Sequence, residues 1–265
     1  MNKPLFNLEK WFLDVVDSDN RTSIFYAAKL NWLGVRFQYV DWIHYDGDNI
    51  CSQEKKFRRV SLPSINRQTI LWEDLKLNIK GEWTSMDNPI NACVYDSPKG
   101  QLNWHCYQPR SHVKLKINNQ EIEGLGYVEK LVLTAYPWHI PMDHLRWGRF
   151  VSPSHSLVWI ELRESVIRQW VWLDGSKIKD RCEINDIGIA NKTFTLTLNK
   201  EKTLESGRSI SKALGVLLKG VLNFNNPIRS NFANAYSQKW LSHGQLKIDN
   251  EIDQGMVIHE WVNFC

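Results

Sequence analysis

Residues 10–46 read KWFLDVVDSDNRTSIFYAAKLNWLGVRFQYVDWIHYD, and this stretch decides the fold class. Three runs rich in aromatic and β-branched residues (10–17, 23–32 and 35–46) follow one another, broken by Asp-Asn-Arg and by Leu-Gly, as the strands of hairpins are. The same rhythm continues outward. Further runs lie at 59–65, 69–81, 100–109, 111–133, 156–162, 167–175, 182–189, 193–199, 245–252 and 256–264. KINNQEI is a hairpin candidate in which Asn118-Asn119 can accept positive φ. Many short strands with turn punctuation predict an all-β protein, an antiparallel barrel or sandwich rather than α/β. One helix is expected at about 206–222, where Ile210, Leu214, Leu217 and Val221 share a face. A division near residue 152, after WGRFVSPS, separates an N-terminal β domain (1–152) from a C-terminal one (153–265).

Composition limits the function classes. The 265 residues are 43% hydrophobic and 23% charged, with 14 glycines and 9 prolines, which excludes collagen-like, disordered and low-complexity chains. The net charge of +4 comes from interspersed acids and bases, and KKFRR at 55–59 is too short for a nucleic-acid groove, so no nucleic-acid partner is expected. Five cysteines without CxxC spacing suit reduced thiols inside a cell. No stretch is apolar enough to span a bilayer, since the best candidate, 210–224, is short and carries two lysines. The N-terminus has no apolar signal core, and the protein is expected to be soluble and cytoplasmic.

Thirteen tryptophans stand out. Most fit the core of a β protein, while those beside ionisable residues are candidates for a cavity wall: Trp104, Trp147, Trp159, Trp170 and Trp172. Chemistry concentrates in GLGYVEKLVLTAYPWHIPMDHLRWGRF, residues 124–150. Alternation sets Leu125, Tyr127, Glu129, Leu131 and Leu133 on one strand face, so the Glu129 carboxyl shares an apolar surface. Such a group must be paired, hydrogen-bonded or raised in pKa, and a raised pKa suits a general acid. A structural ion pair with Arg146 or Arg149 is the competing reading, and either arginine, turned inward, is also a candidate to hold a ligand oxygen by its planar fork. His139, Asp143 and His144 are ligand types, but their spacing matches no zinc pattern, so no metal is expected. In 256–264 one of His259 and Glu260 faces inward. A lone inward histidine is ordinarily a satisfied core residue, and beside a cavity with a second carboxylate it becomes a candidate proton donor. Trp159 shares its face with Glu161 and Arg163. With no nucleophile elbow, P-loop, dinucleotide fingerprint or HExxH, any catalysis would be cofactor-free acid/base work on a bound organic molecule.

Four segments carry a resemblance. EKWFLDVVDSDNR at 9–21, G-L-G-Y-V-E at 124–129, LRWGRF at 145–150 and VIHEWVNF at 257–264 are similar to the lipocalin-related superfamily of carotenoid hydratases and AttH-like proteins, to which fungal Diels–Alderases and plant tocopherol cyclases are also similar. The resemblance implies two lipocalin-like β domains, a hydrophobic ligand site and cofactor-free cyclisation, isomerisation or hydration of a terpenoid or polyketide. Tyr127 and Glu129 fall on its Gly-Tyr-acid motif. Val128 stands where the hydratases carry His, and Glu129 where they carry Asp, which argues against a carotenoid substrate. The alternative is a non-catalytic carrier of a hydrophobic ligand, which needs an apolar cavity and no buried ionisable group.

Overall fold

A computed structural model describes residues 5–207 and 235–264. The described chain is antiparallel β throughout, with a single turn of 3-10 helix at Pro137–His139. It forms two compact units, Met1–Tyr136 and Pro137–Cys265. They divide earlier than the 152 suggested by the sequence because His144–Val151 is a central strand of the second sheet, paired on both sides.

The first unit contains β1 (Phe6–Asp17), β2 (Thr22–Trp32), β3 (Val35–Tyr45), β4 (Ile50–Phe57), β5 (Ser64–Asn66), β6 (Thr69–Asp74), β7 (Ile79–Ser85), β8 (Ile90–Ser97), β9 (Gly100–Ile117) and β10 (Gln120–Leu133). They join in the order β4-β3-β2-β1-β10-β9-β7-β6-β5, with β8 added alongside β9. One core cluster takes Trp42 from β3, Leu13 from β1, Val128 from β10 and Trp72 from β6. Strands that far apart in the sheet can share a core only if the sheet curls round it. The ring of Phe25 on β2 lies 5.3 Å from that of Trp72. The segment after β4 bridges the gap: Arg58 N–H donates to the Gln38 carbonyl, and the Trp72 indole donates to that of Ser61 at 3.0 Å.

The second unit contains β11 (His144–Val151), β12 (Ser156–Arg163), β13 (Ile167–Leu173), β14 (Ser176–Lys177), β15 (Glu183–Ile184), β16 (Gly188–Ala190), β17 (Phe194–Gly207), β18 (Tyr236–Ile248) and β19 (Glu251–Asn263). Their order is β14-β13-β12-β11-β19-β18-β17-β16-β15. Phe150, Trp159, Val171, Leu196 and Leu246 meet in its core.

Ser206 and Gly207 end strand β17, and the remainder of the 206–222 helix lies outside the described residues. The runs read separately at 100–109 and 111–133 are joined, since β9 runs through Pro109. Between the pairs Gly126↔Ser111 and Glu129↔Cys106 the register shifts twice, and Pro109 sits in that bulged stretch, where a missing N–H costs no ladder bond. The Asn118 turn has φ +54, as its residue type allows.

Candidate active site

Glu129 lies on the face of the first sheet opposite the curled core. Its direct neighbours across the strands are Phe12 on β1 and Cys106 on β9, and Tyr26 on β2 extends the same row. The next row brings Lys10, Leu131 and Trp104 together. The following one pairs Asp14 with Tyr127. The alternation read for 125–133 therefore holds. Val128, on the other side, belongs to the core. Gly126 makes this close pairing possible, because a Cβ there would lie 2.2 Å from the Asp14 carbonyl oxygen.

The Glu129 carboxyl is half-buried and its orientation is fixed. The Trp104 indole N–H donates to Oε2 at 2.5 Å, and the Tyr127 hydroxyl donates to the same oxygen at 2.6 Å. Trp104 and Tyr127 are both buried. Burial, followed by the neighbouring Cys106 and Glu129 charges, pushes the Tyr127 phenol well above its ordinary value, so it remains a donor. Burial also raises the Cys106 thiol, which stays protonated and is no nucleophile. Aromatic rings complete the face. Phe12 packs edge-on to Tyr26 and to Tyr127, with centroids 5.3 and 5.9 Å apart, and the Lys10 ammonium covers one side of Tyr26 at 4.4 Å.

The remaining candidates lie in the second unit, divided between the two faces of its sheet. His259, Trp159, Glu161 and Arg146 share the core face. His259 accepts or donates one hydrogen bond with Ser242 at 2.8 Å and stacks on Trp240 at 5.1 Å. Burial, aided by the Lys200 charge, lowers its pKa to about 3. A ring held neutral in this way fits a satisfied core histidine and supplies no imidazolium near neutral pH. Trp159 lies over Gly148, whose Cβ would meet its ring at 2.2 Å. Arg146 pairs with Asp186 at 2.5 Å. Glu161, fully buried, is bound by the Arg163 guanidinium and by Gln169 at 2.5 Å, beside a cavity of ≈ 290 Å³.

On the opposite face are Trp147, Arg149, Trp170, Trp172 and Glu260. Arg149 is completely buried and donates to the Met256 carbonyl at 2.9 Å. Glu260 pairs at 2.8 Å with Lys239, whose side chain is 3% exposed. Thus the structure gathers Trp104, Tyr127 and Glu129 into one hydrogen-bonded set, while His259 and Glu260 point to opposite sides of β19. Sequence reading missed Cys106, Phe12 and Lys239. The double bulge hides the register that sets Cys106 beside Glu129, and no local pattern announces a cross-strand partner.

Among the described residues, no three His, Cys, Asp or Glu side chains converge as a metal site, and four cysteines (51, 93, 106 and 182) are free thiols. No helix there is long and apolar enough to cross a membrane.

No family model and no curated protein matches the sequence. Solved structures do match the fold. A putative AttH from Nitrosomonas europaea aligns over 98% of this chain and 93% of its own, with TM-score 0.56 and 8% identity. CghA aligns over 97% and 88%, at 0.55 and 10%. Kievitone hydratase from Nectria haematococca aligns over 97% and 88%, at 0.52 and 9%. At such identities the likeness is one of fold: the described chain, antiparallel throughout and in two sheets, has a lipocalin-like fold.

Proposed function

We propose that this protein is a cofactor-independent enzyme that moves a proton on a hydrophobic small molecule, in a cyclisation, isomerisation or hydration, with Glu129 as the acid/base. The convergence of Trp104 and Tyr127 on one oxygen of Glu129 carries this reading. Two buried donors fix the carboxyl rotamer, the preorganisation that general acid–base catalysis needs. The cluster of Phe12, Tyr26 and Tyr127 rings beside the carboxyl suits a cation developing on the substrate. A terpenoid or polyketide suits such an aromatic surface. Trp104 and Tyr127 act as positioning residues. His259, Glu260 and the second-unit tryptophans carry no step in this proposal. Two structures of like fold support it: one is named a hydratase, and CghA has been crystallised with Sch210972. Cytoplasmic location remains part of the proposal, resting on the cysteine pattern.

The test uses whatever the protein retains on purification. Small molecules extracted from the wild type and from Glu129→Gln are compared by chromatography and mass spectrometry. An enzyme holds product in the wild type and substrate in the variant, differing by one water for hydration or by retention alone for isomerisation. The same molecule in both, at equal occupancy, would establish the carrier instead.

A further inference from the structure

The tip of the β2–β3 hairpin is built against the rules for such turns. The two-residue connection Leu33-Gly34 has φ +50 and +85, a geometry normally given to Asn-Gly or Asp-Gly. Leucine gains nothing from this left-handed backbone, and here its side chain is 51% exposed. It is not alone. Val35 is 54% exposed, and Leu5, tied to the tip by the Leu33 N–H on its carbonyl at 2.8 Å, is 64% exposed. Scattered exposed aliphatics need no explanation, whereas three at one turn do. Charge is equally uneven. From Asn20 to Val40 the sequence contains no Asp or Glu, but has Arg21, Lys29 and Arg36. Lys29 and Arg36 are exposed, and neither makes an ion pair among the described residues, although Glu9 lies directly opposite Lys29 on β1. Arg36 directly follows the apolar tip.

We propose that this tip (Leu5, Leu33 and Val35, with Arg36 and Lys29 beside it) is a docking surface for a bilayer containing anionic lipid. The aliphatic side chains enter the boundary between headgroups and acyl chains, and the two cations remain at the headgroup level. A protein partner fits less well. Three side chains at one turn cover far less than the roughly 800 Å² per partner of a standard interface, whereas a membrane needs only an exposed apolar point with basic flanks. The surface lies apart from the Glu129 chemistry and does not depend on it.

Flotation of the full chain with phosphatidylcholine vesicles, with and without phosphatidylglycerol, tests this. The wild type should float with the anionic vesicles, less so as NaCl rises, and only weakly with the neutral ones. Leu33→Asn installs the residue the turn prefers, so it should fold at least as stably while its partitioning falls about tenfold, the worth of one partly buried leucine. Arg36→Gln should reduce binding to the anionic vesicles about fivefold and leave neutral vesicles unaffected. The proposal fails if the wild type does not float, if neutral and anionic vesicles bind equally, or if Leu33→Asn floats like the wild type. Sedimentation velocity supplies a further check. A dimer abolished by Leu33→Asn would assign the tip to a second copy and overturn the bilayer reading.

Discussion

Replacing Glu129 by Gln and by Leu separates the electrostatic from the packing role of this residue. In Glu129→Gln the amide oxygen can take the place of Oε2 and still accept from Trp104 at 2.5 Å and from Tyr127 at 2.6 Å. The two bonds lose their charge assistance, worth roughly half their strength, so the cost should be about 1–2 kcal/mol. Glu129→Leu removes the oxygen that both buried donors use. At about 1–3 kcal/mol per donor, it should cost roughly 2–6 kcal/mol. At about 2–4 °C per kcal/mol for a chain of this size, the Gln variant should melt a few degrees low and the Leu variant roughly 10 °C low. Calorimetric melting curves measure this without any knowledge of the substrate. Once the retained molecule is identified, turnover by Glu129→Gln should be reduced about a hundredfold or more, because the amide has no transferable proton. If the Leu variant proved as stable as the Gln variant, Trp104 and Tyr127 would not be donating to this carboxyl, and the preorganised acid/base would lose its basis.

Other consequences are open to measurement. Tyr127→Phe deletes one donor at constant ring volume and should cost about 1.5–3 kcal/mol in guanidinium unfolding, the worth of a bond to a charged group. Gly148→Ala would drive a methyl group into the Trp159 ring, so the second unit should lose about 1–3 kcal/mol; an unchanged melting temperature would show that the ring moves aside freely. Glu260→Gln removes the carboxylate from the nearly buried Lys239 ammonium and should cost about 3 kcal/mol, detectable as a lower guanidinium midpoint. His259, with its folded pKa lowered to about 3 from an ordinary 6.5, should show no imidazole titration by NMR between pH 5 and 8. Since the unfolded chain takes up the proton first, this residue should remove stability progressively as pH falls from 6.5 towards 3, and contribute no pH dependence above that range.

The sequence by itself determined whatever repeats along a strand. Alternation made the all-β class readable, set Tyr127 and Glu129 on one face with Val128 on the other, and matched Asn118 to a left-handed turn. These are local properties, fixed by a period of two and by one residue's φ preference. The same logic read 100–109 and 111–133 as separate runs, where the chain continues as one strand because a bulge needs no N–H from Pro109. It also placed a domain division after β11, since nothing local tells a strand which sheet it will join. Only the tertiary structure decided which donors reach Glu129. Trp104 is 25 residues away in sequence and meets Oε2 because two register shifts in β9 bring it there. Tertiary packing likewise decided that Glu260 meets Lys239 and that His259 stays neutral beneath Trp240. Hydrogen bonds and desolvation at a site depend on which strands become neighbours, and that is settled by the burial of the whole core rather than by any one segment.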